Sequence, residues 1–151
     1  MADSVSDETI DLGILPGLIG FNLRCAQVAV FQDFKRRVGA AEISPPQFGA
    51  LVLIEANRGI SQSAIAAALR FDRSTLVQII DRLEERGLVV REVSARDRRS
   101  HALKLTEEGE RQLTELKRLV AAHEEHITGR LDAGEKRTLA ELLRRVYQTE
   151  S

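Results

Sequence analysis

A chain of 151 residues with 43% apolar and 30% charged side chains is long enough for one domain with a real core, 1–151. A single cysteine, Cys25, excludes a disulfide framework and a multi-cysteine zinc site, and no apolar run approaches the roughly 18 residues of a membrane span. The net charge of −1 points to no partner, yet residues 44–105 hold 10 Lys+Arg against 7 Asp+Glu while the rest of the chain is acidic. A nucleic-acid contact is therefore sought in the middle.

Few prolines and long stretches rich in Leu, Ala, Glu and Arg predict a mostly helical protein. Residues 1–11 are polar; their acidic character is unlike a secretory or transit signal, so a cytoplasmic location is the default expectation. A helix is expected from about Leu15, with Pro16 in its first turn and Gly39 as its stop. Its apolar residues lie almost all round, which predicts burial on more than one side. Ser44-Pro-Pro-Gln47 is a capping-box start for a second helix that ends at Asn57-Arg58-Gly59. Ser61 caps a short helix over 62–69, and Asp72 caps another over 73–86, closed by Gly87.

Residues 88–93 and 102–105 read as strands, and the charged run between them makes a hairpin. Thr106 opens a long helix whose Leu113, Leu116, Val120 and Ile127 form a seam for another helix. Asp132 with Glu135 is a second capping box, followed by a last helix lined by Leu139, Leu142, Leu143 and Val146.

The fourth helix carries the chemistry. A helix enters the major groove when its exposed N-terminal half bears short polar and basic side chains. Ser74, Thr75 and Gln78 are base-reading types, Arg73 and Arg82 suit guanine or phosphate, and Leu76, Ile79, Ile80 and Leu83 pack on the opposite face. Ser61, Gln62 and Ser63 begin the preceding helix, where free amides attract phosphate. The hairpin adds Arg96, Arg98 and Arg99, which suit the negative potential of a narrow minor groove. Asp97 is expected to brace that tip, and His101 to lie near the DNA backbone.

Ser44-Pro-Pro-Gln-Phe, Asp72-Arg-Ser-Thr-Leu-Val, Leu83-Glu-Glu-Arg-Gly-Leu-Val, Asp97-Arg-Arg-Ser and Leu105-Thr-Glu-Glu-Gly resemble, in order and over roughly residues 12–148, the MarR family of bacterial transcriptional regulators. The resemblance implies a winged helix-turn-helix over 44–105, flanked by dimerisation helices in 12–43 and 106–148. The fold class is then mostly α with a small β-hairpin. The implied protein is a homodimer that binds a palindromic double-stranded DNA operator, more as a repressor than an activator. Arg99 would enter the minor groove, and Arg86 would brace the wing or touch phosphate.

The resemblance further implies a small effector, aromatic or anionic and in some members an acyl-coenzyme A, held between the two regions. Matching positions are Phe21, Arg24, Cys25, Val28, Phe31 and Phe48, with Arg36 and Arg37 for a larger anion. Core packing is the competing reading for the apolar ones. Arg24, in a largely apolar helix, needs a partner. Cys25 is expected as an inert buried thiol, with a redox sensor as the alternative. His123 and His126 have metal-ligand spacing but sit on a charged helix, so they are expected as solvated or dimer-packing side chains; no metal and no cofactor is called for. No phosphate loop or nucleophile elbow supports an enzyme. The rival to DNA binding is a protein-binding winged-helix adaptor.

Overall fold

A computed structural model describes residues 9–93 and 101–148. A short 3-10 turn, Leu15–Gly17, precedes α1 (Ile19–Val38). A second 3-10 turn, Gly39–Ala41, leads to α2 (Pro45–Ala56), α3 (Gln62–Leu69) and α4 (Arg73–Glu85). The antiparallel strands β1 (Val89–Val93) and β2 (His101–Leu105) follow, then α5 (Glu107–Ile127) and α6 (Ala133–Tyr147).

The helix starts obey local chemistry. Ser44 and Gln47 form a reciprocal capping box, as do Asp132 and Glu135, and Ser61, Asp72 and Thr106 each accept a backbone N–H with the side chain. The first helix departs from the expectation. Pro16 lies in the 3-10 turn, Leu18 is extended, and α1 proper starts at Ile19. α4 stops at Glu85, and Gly87 turns the chain into β1 with φ +71°, a left-handed conformation that favours glycine.

The core lies under the winged helix. Leu51 and Ile54 of α2, Ile65 of α3, Leu76, Ile80 and Leu83 of α4, Leu88, Val89, Leu103, and Leu113 and Leu116 of α5 are buried, joined by Phe34 and Val38 from the end of α1. The hairpin pairs Val89 with Leu105 and Val93 with His101. Its inner edge is tied to the α2–α3 connection, because the Leu103 N–H donates to the Ile60 carbonyl.

The outer helices are different. α6 buries no residue, and Leu139, Leu142, Val146, Leu18, Ile19, Leu23 and Phe31 are exposed. Burial of α1 on several sides is thus confined, within one chain, to Asp33, Phe34 and Val38. Among the described residues no helix is long and apolar enough to cross a membrane.

Candidate nucleic-acid interface

α4 presents two faces. Leu76, Ile80 and Leu83 are buried, while Arg73, Ser74, Val77, Gln78 and Arg82 are exposed and Thr75 is half-buried. The residues expected to read a groove therefore share one outer face, and Val77 lies among them. A methyl-bearing side chain at Val77 suits contact with a thymine methyl.

Asp72 fixes the start of this helix. Its Oδ1 accepts the Thr75 N–H at 2.7 Å and the Ser74 hydroxyl at 2.8 Å. Ser74 thus spends its proton locally and offers DNA only an acceptor. The Thr75 backbone bond first, then the Ser74 hydroxyl, holds the Asp72 carboxyl below the usual carboxylate range. A lowered folded pKa adds stability that is present above the unfolded value of about 3.9 and is lost as pH falls through the folded value. Asparagine caps without titrating, so the stability lead of wild type over Asp72→Asn should shrink as pH drops below about 4. Melting curves from pH 7 to pH 3 test this; a pH-independent difference would count against it.

Ser61, Gln62 and Ser63 at the start of α3, Arg73, Leu76 and Val77 of α4, and His101 of β2 line one shallow cleft of about 190 Å³. A bridge between Ser61 and Ala102 brings His101 to this place. Three elements thus converge on a groove whose rim holds a guanidinium, an imidazole and hydroxyls, a set suited to a phosphate oxygen. Arg96, Asp97, Arg98 and Arg99 lie outside the described residues.

Two contacts were not legible beforehand. Arg91 of β1 reaches Asp81 at 2.6 Å and Glu84 at 3.2 Å, clamping the hairpin to α4. The signal was one arginine on the strand and two carboxylates three apart on the helix. Arg86, expected to brace the wing or touch phosphate, instead donates to the carbonyls of Glu42 at 2.8 Å and Ala41 at 2.9 Å. It follows directly on α4, so its side chain swings toward the α1–α2 connection, where the last 3-10 turn leaves carbonyls unbonded.

The effector positions all lie along α1 except Phe48, which is on α2. Phe21 and Phe48 are half-buried, and Phe48 packs against the core. Arg24, Val28, Phe31 and Arg36 are exposed. Cys25, expected to be buried, is exposed as well. A cleft of about 360 Å³ between α1 and α5 takes only Arg36 of the set, alongside Ala26, Ala29, Val30, Gln32, Asp33, His126 and Ile127.

Arg37 is committed to Asp33, with Nε 3.0 and 3.2 Å from the two carboxylate oxygens. His123, expected to be solvated or packed at a dimer contact, is 2% exposed within its own chain. It bonds Asp33 through Nδ1 at 2.7 Å and meets Phe34 edge-on, with ring centroids 5.4 Å apart. Burial raises the Asp33 carboxyl, but the His123 bond and the charges of Arg37, His126 and His123 outweigh it and leave it below its ordinary value.

Residues 42–100 match the model of the MarR family. Over 140 residues the chain is 39% identical to the protein assigned as transcriptional regulator of the hcr operon in Thauera aromatica, spanning 92% of this chain and 84% of that one. The chain belongs to the MarR family of transcriptional regulators. It is a DNA-binding regulator and not an enzyme. The MarR fold extends beyond the matched segment. The transcriptional repressor CouR, solved on a 23-mer DNA duplex, superposes with a TM-score of 0.88 at 39% identity, covering 92% of this chain and 99% of that one. CouR bound to p-coumaroyl-CoA gives 0.85 at 37% identity, covering 93% and 99%.

Proposed function

We propose that this MarR regulator is a homodimeric repressor that occludes a promoter by placing one winged helix on each half of a palindromic operator. The observation that carries the reading is the exposed polar face of α4 beside the Ser61–Arg73–His101 cleft. Residues 12–43 and 106–148 form the dimerisation helices, and 44–105 form the DNA-binding region. Support for this division comes from α6, which buries no residue within one chain while exposing Leu139, Leu142 and Val146. Two such surfaces, each self-complementary, bury one another about a two-fold axis.

Ser61, Gln62, Ser63, Arg73 and Arg82 hold phosphate, while Ser74, Thr75 and Gln78 face bases. Arg96, Arg98 and Arg99 approach the minor groove with Asp97 as their brace. The protein works in the cytoplasm, beside its DNA. Its effector is an aromatic acid or aromatic acyl-coenzyme A, on the ground that CouR binds p-coumaroyl-CoA. Release then requires that the effector bind one dimer shape more tightly than the other.

A gel shift with the DNA upstream of the protein's own gene, titrated with p-coumaroyl-CoA and with 4-hydroxybenzoate, tests both halves. A shifted band that either compound dissolves is expected. A chain that binds no upstream duplex, at low salt and with competitor, would be an adaptor instead. Within the operator, Gln78→Ala should relax discrimination at one base position by about 1–3 kcal/mol. An equal loss on every sequence would move Gln78 to the phosphate contacts.

A further inference from the structure

We infer that the buried Asp33–His123 pair is a positioning joint that sets the angle at which α4 is presented to DNA; this rests on the operator reading above. The pair spans two helices, Asp33 on α1 at 4% exposure and His123 on α5 at 2%. Every group facing the carboxylate is a donor. His123 Nδ1 lies 2.7 Å from Oδ2, and Arg37 Nε reaches both oxygens. His126 Nε2 stands back at 3.5 Å and Arg36 at 3.8 Å, both on Oδ1.

His123 occupies a seam position. Leu113, Leu116, Val120, His123 and Ile127 recur at alternating spacings of three and four, and all are buried or half-buried. Apolar side chains alone tolerate several registers between two helices. A buried carboxylate favours one, because sliding α5 by a turn would take His123 Nδ1 from Oδ2 and leave the charge only its α1 arginines, Arg37 and Arg36. The pair therefore specifies placement more than it adds stability.

That placement reaches α4. Asp33 lies five residues before the end of α1, and the chain runs on through buried Val38 and the Gly39–Ala41 turn to Glu42. There Arg86, which follows directly on α4, grips the Ala41 and Glu42 carbonyls. One covalent path and two hydrogen bonds thus connect the joint to the C-terminal end of the reading helix. In a dimer, the tilt of α4 fixes the distance between the two reading helices, and hence the half-site spacing.

The test uses spacing, which a merely structural residue would leave unranked. Duplexes carry the half-site selected in vitro by the wild-type protein, in two-fold pairs whose centre-to-centre separation varies one base pair at a time. Wild type should prefer one separation by about tenfold or more over its neighbours. Asp33→Asn and His123→Leu should bring that preference below about threefold, with dimers intact by size-exclusion chromatography. His123→Asn, whose amide nitrogen can replace Nδ1, should restore it.

His126→Ala should keep the wild-type ranking; a changed ranking there would remove His123 as the bond that matters. If Asp33→Asn does not fold, His123→Leu, which keeps Arg37 on the carboxylate, reads the same quantity. Dimers that weaken by one factor at every separation, or that keep the wild-type ranking, overturn the joint. A wild type that selects no two-fold duplex removes the operator reading itself, and the joint with it.

Discussion

Replacing Gly109 by alanine is expected to cost about 3 kcal/mol or more, the upper range for forcing atoms into a filled space. Gly109 is the third residue of α5 and is buried. A β-carbon there would fall inside the contact radius of the Leu88 carbonyl oxygen, with the Leu88 carbonyl carbon and Cα close behind. These are backbone atoms of a fully buried residue and cannot rotate aside. The same carbonyl accepts the Thr106 N–H, while the Thr106 hydroxyl donates to the Gly87 carbonyl at 2.6 Å. The start of α5 is thus keyed to the start of β1, and an alanine must prise the two apart. Thermal and urea unfolding at fixed protein concentration would show the loss. A variant within about 0.5 kcal/mol of wild type would mean that α5 can lift away at no cost.

Ile80→Ala should cost about 2–5 kcal/mol, the range for removing a fully buried branched side chain and leaving a cavity. Ile80 has no exposed surface and lies between Leu76 and Leu83 on the inner face of α4. Its loss loosens the helix whose opposite face is proposed to read DNA, so operator affinity should fall along with stability. Gln78→Ala, two residues away and exposed, should change base discrimination while leaving the melting curve in place. The contrast separates the two faces of one helix. If Ile80→Ala melted as wild type does, α4 would not be anchored by this core.

How much was readable in advance follows from which interactions are local. Both capping boxes, the caps Ser61, Asp72 and Thr106, and the strand–turn–strand pattern act within a few residues, so the sequence displays them. The first helix was drawn too early because Pro16 fits a 3-10 turn as well as an α-helix. On α5, counting only apolar side chains left a gap at His123, although the three-and-four spacing passes through it. Asp33 and Arg86 were opaque for another reason: their partners lie up to 90 and 45 residues away. The polar face of α4 was visible as a period, but the half-burial of Thr75 and the exposure of Val77 depend on how that helix packs against its neighbours.

The separation between the core under α2–α4 and the bare outer surface of α1 and α6 has a genetic consequence. A change confined to the reading face removes no residue that a second copy would grasp, so disabled subunits still pair with intact ones. At equal expression about three-quarters of two-subunit assemblies would then contain at least one defective reader. Alleles that blunt α4 should accordingly be dominant over a wild-type copy, whereas alleles that strip the leucines of α6 should be recessive.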